Sequence, residues 1–599
     1  MVRLRRGCGS VRAGPEGGIR QRLRAGRRPG TRRCGQHGRG LLAGPQVPHR
    51  VWVGAVSAAS RDAPAVVGFR LRRPADVAAP VRDLGAYGTH RRRVREAAGN
   101  DRRIPRAAHR QGCALAGGGL VVRVLLVTHH FLPRHAAGVE VYTDGIAREL
   151  QSQGHEVAVF TTEDDPRLRP FVVVDEDLNG LSVHRLAHPR TVERPEDTLG
   201  LLETRAAFGA FLDRFGPDVV HFQHLMYVGM DAVDEAHARG LPTLMTLHEY
   251  WLLCGRGGQL QQASGRLCVA PDRATCARCL SDFRFGRTRT EAKVARLSAA
   301  VHRWTGWDPF PFLKGLRDRR TSPKPLSDEP LPADAETDML HFVDLRVARV
   351  KALWGVVDRF LCPSRFLMQK FLDAGWPADR ISWSPNGIRT LELDGHGSSD
   401  PSAVGVAPGG PLRVGFIGSI TPWKGPDVLI RAHARLPAAR VTVDVFGSAS
   451  AWPAFAAEVR RLAASDGVRF HGTFEGGPAA ALRRLDVLVV SSTWYENAPL
   501  VISEAFAAGV PVVASGHGGM EEMVTDGVDG RLFEPGSDED LARVLLELAD
   551  DREQLERLRS GVRPSRTVAD DASHLLTLYA SLREQLAATG DPPARNRRS

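Results

Sequence analysis

The rhythm of apolar and polar positions changes at Val121. Before it, apolar residues recur with neither a 3.6-residue nor a 2-residue period, so no face is defined for burial. After it, short apolar runs alternate with amphipathic stretches. Residues 121–128 read as a buried strand, 139–153 as an amphipathic helix closed by Gly154, and 155–160 as the next strand. The runs 171–174 and 181–186 flank Asn179-Gly180, a tight-hairpin dipeptide. Further strands are expected at 218–222 and 243–247 around a helical 231–239. The strand 357–361 then leads to a helix with Ser364 as its N-cap. Such alternation predicts a doubly wound parallel sheet.

Residues 390–411 interrupt the pattern with Gly, Ser, Pro and Asp and read as a linker. A second alternating unit follows, with strands at 413–417, 440–446, 468–470, 487–490 and 511–514. Helices are expected at 426–435, 456–464, 499–507 and 538–549, and a last one at 569–586 is expected to return to the first unit. The expected organisation is an α/β chain with an Arg-rich leader (1–120), a first Rossmann-like domain (121–389), the linker, a second Rossmann-like domain (412–565) and a crossing helix with tail (566–599). The block 281–340, mixed in Arg, Trp, Phe and Pro, reads as an excursion of helices and loops. Two open sheets facing each other form a cleft at the C-terminal ends of their strands, where such folds bind ligands.

Composition fits this picture: of 599 residues 43% are apolar and 25% charged, which excludes collagen-like, disulfide-scaffold and wholly disordered classes. The net charge of +13 is unevenly placed. Residues 1–120 hold 26 Arg, no Lys and six acids, a charge of +20, so the remainder carries −7. The leader reads as translated sequence upstream of the true start. The alternatives are a disordered tail and an arm that grips phosphate backbones, but aromatic residues for single-strand stacking are scarce among its arginines, so a nucleic-acid partner is not expected. No apolar run approaches the ~20 residues of a membrane span, and no signal-peptide core is present. The expected location is cytoplasmic, with a peripheral contact at the inner membrane face through the block 281–320 as an open alternative.

The most informative segment is Glu496-Asn497-Ala498-Pro499-Leu500-Val501-Ile502-Ser503-Glu504, where Pro499 suits the start of a helix. Amides around Leu500 and Val501 are suited to hold a phosphate. Glu496 and Glu504 offer one carboxylate to a sugar and another to ribose hydroxyls. In Phe416-Ile417-Gly418-Ser419-Ile420-Thr421-Pro422-Trp423-Lys424-Gly425, a strand and turn carry Lys424 to the cleft edge, where an ammonium can neutralise a leaving diphosphate. Gly516-His517-Gly518-Gly519 reads as a flexible Gly-rich loop opposite. In the first unit, Ala137-Gly138 separates strand from helix without the Gly-x-Gly-x-x-Gly pattern, which discounts a dehydrogenase.

With its Glu-x7-Glu segment, Gly-x5-Lys-Gly turn, Gly-Gly-x-x-Glu loop and Asn386-Gly387, the chain over roughly 121–590 resembles the family 4, or group 1, retaining glycosyltransferases of GT-B architecture. The resemblance implies a nucleoside-diphosphate sugar donor held mainly by the second domain. It also implies a saccharide, lipid-linked or small-molecule acceptor held mainly by the first. It assigns Glu496 to the transferred sugar, Glu504 to the donor ribose, Lys424 to the diphosphate, Gly138, Gly418, Gly518 and Gly519 to donor-binding loops, and His248 to the sugar and acceptor. Ser419 stands where the family often has Arg, which leaves Arg389 or another basic group to compensate. His221 and His224 are acceptor-side candidates.

Four of the eight cysteines lie close together, as Cys254-x13-Cys268-x7-Cys276-x2-Cys279. Tetrahedral zinc with a structural role and four reduced thiols are both open. Transfer itself is expected to need no cofactor, since no Asp-x-Asp stands in a loop suited to Mg²⁺. The expected reaction is retaining hexosyl transfer in polysaccharide or glycoconjugate synthesis. A GT-B sugar phosphorylase, a nucleotide-sugar epimerase and a non-catalytic nucleic-acid binder are the rivals.

Overall fold

The computed structural model describes residues 121–262, 264–305, 333–389, 410–437, 439–463, 467–473 and 477–588. The leader 1–120, linker residues 390–409, half of the Arg/Trp/Phe-rich block and the tail beyond 588 lie outside them.

The first sheet contains β1 (Arg123–Thr128), β2 (Glu156–Glu163), β3 (Val173–Leu178), β4 (Leu181–Ala187), β5 (Val219–Phe222), β6 (Thr243–Thr246), β7 (Arg359–Cys362) and β8 (Ile381–Trp383). Their order is β3-β4-β2-β1-β5-β6-β7-β8. All pairs are parallel except β3 with β4, which are antiparallel across Asn179-Gly180. Both turn residues have positive φ, 53° and 85°, as a twist-matched two-residue hairpin requires. Both faces of β1 are buried. Leu125 and Val127 join Phe160, Phe208 and Phe211 on one side. Val124 and Leu126 join Tyr142, Ile146 and Leu150 on the other. This is why β1 reads as an almost unbroken apolar run.

The second sheet is wholly parallel: β9 (Leu412–Ile417), β10 (Val441–Phe446), β11 (Val468–Gly472), β12 (Val487–Val490), β13 (Val512–Ser515) and β14 (Gly530–Phe533), in the order β11-β10-β9-β12-β13-β14. The helix Val568–Ala588 leaves this unit and lays Ala572, Leu575, Tyr579 and Leu582 on the first domain's core. Its polar anchors are buried. The Tyr142 hydroxyl donates to Asp571 at 3.0 Å, the Gly387 N–H donates to the same carboxylate at 2.8 Å, and Tyr579 pairs with His221 at 2.8 Å.

The block 281–340, read as helices and loops, holds regular helices among its described residues, Arg289–Thr305 and the start of Ala333–Val356, with Arg273–Ser281 just ahead. In Ala333–Val356 the buried positions Phe342, Val343, Val350 and Leu353 follow a helical period, but Arg346 occupies a slot on the same buried face and breaks the apolar signal. β8 and β14 are too short to announce themselves, and β14 opens with Gly530-Arg531. The Gly518-Gly519 pair opens a short helix, Gly518–Met523, in which Gly518, Gly519 and Met520 are buried, so it is not a flexible loop.

Because Leu575 is fully enclosed between the crossing helix and the first domain, Leu575→Ala is expected to cost roughly 2–5 kcal/mol. The midpoint of guanidinium unfolding reads this, and an unchanged midpoint would show that the helix does not brace the first domain.

Candidate active site

Lys424 and Glu496 meet because two strand ends dock on each other. After β9 the chain makes the short turn Pro422–Lys424 and reaches Gly425 at φ 63°. A side chain at Gly425 would place its Cβ 2.0 Å from the Ser491 carbonyl, so only glycine lets the turn close on the end of β12. The Thr493 N–H to Trp423 carbonyl bond (2.9 Å) and the Ser491 hydroxyl to Gly425 carbonyl bond (2.8 Å) fix that contact. Glu496 is buried, and its Oε1 accepts from Lys424 Nζ at 2.6 Å, Ser492 Oγ at 2.7 Å and Trp494 Nε1 at 2.8 Å. Burial opposes ionisation of Glu496. The Lys424 charge and these hydrogen bonds outweigh it and hold the carboxyl below the usual glutamate range.

The Gly-Gly pair supports the same segment from behind. Gly519 N–H donates to the Glu496 carbonyl at 2.8 Å. A Cβ on Gly519 would stand 1.3 Å from the Asn497 carbonyl, so the backbone there leaves no room for one. Asn497 then joins the two domains. Its Nδ2 donates to the carbonyls of Leu247 (3.3 Å) and His248 (3.0 Å), and its Oδ1 accepts from Ser364 Oγ at 2.7 Å. Glu522 adds a second tie by accepting the N–H groups of Arg365 and Phe366, both at 2.9 Å, at the start of the helix Arg365–Asp373. Ser492, Trp494, Asn497 and Glu522 were not singled out for these roles by the sequence pattern. Asn497 stands directly beside Glu496, but which backbone it would meet across 250 residues is not written locally.

His248 follows β6 at the interdomain seam. Its Nε2–H donates to Gln223 Oε1 at 2.8 Å. Burial, with His224 and His221 nearby, pulls its pKa to about 3, so the ring is neutral at physiological pH. His224 pairs with Glu249 at 3.0 Å and lies 4.1 Å, centroid to centroid, from His129. His221 is a correction. It is fully buried between Tyr579 and Thr246, both at 2.8 Å, and braces the crossing helix instead of facing the acceptor side.

Leu500 and Val501 open the helix Leu500–Ala507, and the Leu500 side chain reaches the first domain's core. Glu504 stands inside that helix with no ion pair or side-chain hydrogen bond among the described residues, and burial pushes its carboxyl up to about 7. Gly418 directly follows β9, and Gly138, exposed with open space around its Cα, starts the helix Gly138–Ser152. Arg389 does not supply the missing cation near Ser419, because it is engaged by Asp144 of that helix.

Cys254, Cys268, Cys276 and Cys279 are reduced and half-buried. Burial raises the thiols of Cys254, Cys268 and Cys276, the last to about 12, and the neighbouring cysteines add to it. Among the described residues no group of three or more His, Cys, Asp or Glu is arranged to hold a metal ion.

Two facing parallel-sheet domains, with a lysine–glutamate pair at the mouth of the second and histidines at the mouth of the first, define a sugar transferase of GT-B fold. Residues 402–563 match the family described as glycosyl transferases group 1, and residues 137–313 match the glycosyl transferase 4-like domain. The chain belongs to this family of glycosyltransferases, group 1 or family 4. It is 27% identical over 493 residues to the D-inositol 3-phosphate glycosyltransferase of Thermomonospora curvata, covering 78% of this chain and 97% of that protein. With the protein of the same name from Nocardia farcinica it shares 35% identity over 195 residues, 31% of this chain and 43% of that protein. The sucrose-phosphate synthase of Thermosynechococcus elongatus has the same fold, with TM-score 0.50 and 18% identity over 78% of this chain and all of that one.

The raised carboxyl of Glu504 makes a stability prediction. Its folded pKa lies above the unfolded value, so ionising it opposes folding as pH rises from about 4.5 to about 7. Relative to wild type, Glu504→Gln is expected to gain roughly 1–3 kcal/mol across that window and hold the gain above it. Urea unfolding of both proteins at about pH 5 and about pH 8 reads the difference. An equal gap at both values would contradict the assignment.

Proposed function

We propose that this glycosyltransferase moves a hexose from a nucleoside-diphosphate sugar to an acceptor hydroxyl with retention of anomeric configuration, in polysaccharide or glycoconjugate synthesis. The observation that carries the reading is the 2.6 Å contact of Lys424 with Glu496, in the segment that leads into the helix Leu500–Ala507, on which Glu504 has no side-chain partner among the described residues. In the free enzyme the carboxylate holds the ammonium in place. When a diphosphate enters, Lys424 turns to it together with the amides near Leu500 and Val501. Glu496 is then free to receive sugar hydroxyls, still oriented by Ser492 and Trp494. Glu504 accepts from the ribose, which favours its ionised form.

The bond between the anomeric carbon and the diphosphate oxygen breaks, and the acceptor oxygen adds on the same face. Its proton passes to the departing phosphate, whose charge Lys424 neutralises. No carboxylate among the described residues is assigned as a nucleophile, which favours this front-face route. His248, neutral and fixed through Gln223, offers its other ring nitrogen as an acceptor to a sugar hydroxyl. Asn497 and Glu522, by joining the domains, keep water out of the reacting space.

The relatives named for D-inositol 3-phosphate support including phosphate-bearing molecules among acceptor candidates. No helix among the described residues is long and apolar enough to cross a membrane, which is compatible with work in the cytoplasm. A thermal-shift panel of nucleotide sugars followed by transfer assays tests the reading. Glu496→Gln and Lys424→Ala are expected to lower kcat about 10²–10³-fold, Glu496→Gln with an unfolding midpoint near wild type and Lys424→Ala with a lowered one, since it strands the buried carboxylate. Near-wild-type transfer in both would contradict it. Dependence on inorganic phosphate, or release of a free epimer, would identify a phosphorylase or epimerase instead.

A further inference from the structure

Beside the histidine-lined mouth of the first sheet lies a cavity of about 110 Å³. Its walls are largely aromatic, with Tyr227, Trp251, Phe283, Phe285 and Phe342, and Arg346 faces into it from the helix Ala333–Val356. Arg346 is 5% exposed. It donates to the Trp251 carbonyl and lies 4.7 Å over the Trp251 ring. It makes no ion pair among the described residues, although the Glu249 carboxylate is near enough for its charge to be felt, and burial pulls even this guanidinium down to about 10. One carbonyl needs only a neutral donor, so that bond does not account for a charge in an apolar slot of the helix.

A second buried cation stands on the far side of the same wall. Arg190 is 7% exposed, and its guanidinium lies 3.6 Å over the Tyr227 ring. Among the described residues its Nη1 has no partner, and Nη2 finds only His130 and the Thr162 carbonyl, each at 3.4 Å. Arg190 too makes no ion pair among the described residues, and the carboxylates whose charges reach it, Asp164 and Glu163, do not touch it. Arg190 and Tyr227 both hold left-handed backbone, φ 55° and 64°, a strained state for non-glycine residues that tends to persist at ligand sites. The other charges at the cavity are already engaged. Arg284 pairs with Glu291, and Asp197 accepts the N–H groups of Glu193 and Arg194.

A buried charge that no carboxylate contacts directly is disfavoured unless something of opposite sign arrives. We propose that this cavity is an acceptor subsite for a phosphate group, in which Arg346 grips the phosphate and Arg190, behind Tyr227, adds positive potential. The proposal rests on the glycosyl-transfer reading and specifies its acceptor as phosphate-bearing. The volume approaches the ~150 Å³ of engineered cavities that hold one ring, so it takes a single compact group and not a whole saccharide. Trp251 also lines the small cavity formed with Gln223, His224 and His248. One side chain therefore separates the proposed phosphate from the histidine at the seam, which leaves an acceptor's hydroxyl on the cleft side. A guanidinium is suited to this task by its planar, two-pronged donor set.

The test is thermal-shift titration of the full chain with inorganic phosphate, glucose 6-phosphate, glucose, and a polyprenyl phosphate in detergent micelles. Both soluble phosphates are expected to stabilise the protein and glucose is not. Arg346→Gln is expected to weaken glucose 6-phosphate binding about tenfold or more. So is Leu201→Trp, which fills the cavity and keeps the guanidinium, and which carries the test should the arginine variant fail to fold. Stronger binding of glucose 6-phosphate than of the polyprenyl phosphate assigns a soluble acceptor, and the reverse a lipid-linked one. Binding that survives in both cavity variants but is lost in Lys424→Ala would place the phosphate in the donor site and overturn the proposal. So would the absence of stabilisation by any phosphate. Hydrolysis of a nucleotide sugar by the wild-type protein reports separately on the transfer reading, so the subsite can fail while that reading stands.

Discussion

Everything at the proposed catalytic centre depends on one carboxylate oxygen that accepts three donors at once. Glu496 Oε1 takes the ammonium of Lys424, the hydroxyl of Ser492 and the indole N–H of Trp494. A carboxylate this buried is tolerated only because its charge is answered. The arrangement is also exchangeable. A diphosphate can take over the lysine, while the hydroxyl and the indole keep the carboxylate in place. Preorganisation of this kind stabilises departing charge without reorganising the site during reaction.

The pair sits where the two domains touch, and this links the chemistry to the architecture. Asn497, the next residue along, bonds to backbone at the end of β6 and to Ser364 after β7. The segment that carries the donor-side glutamate therefore also ties the domains together. The helix Val568–Ala588 closes the frame from the other side through Tyr579 and Asp571. Motion of one domain relative to the other must break or keep a small number of identifiable polar contacts, with the glutamate always near the seam.

Much of this was legible in the sequence. Parallel strands buried on both faces announce themselves as apolar runs, and β1 and β12 are of that kind. The turn around Lys424 was legible because glycine and proline mark tight backbone. What escaped is what tertiary context decides. His221 and His248 each lie at the end of a strand, and composition gives no sign that one is locked under a crossing helix while the other borders the seam. Arg389 looked free in the sequence and is held by Asp144. Arg346 is the sharpest case: a charge on a buried helical face hides the helix from a periodicity argument, and the same anomaly, once seen in three dimensions, points to a ligand.

The most direct test of the central claim is a crystal structure of the protein with a nucleoside diphosphate bound. The account predicts that Lys424 Nζ leaves Glu496 for a phosphate oxygen, that amides near Leu500 and Val501 lie within hydrogen-bond distance of the diphosphate, and that Glu504 meets the ribose. A nucleotide bound elsewhere, with the Lys424–Glu496 contact intact and Glu504 untouched, would contradict it.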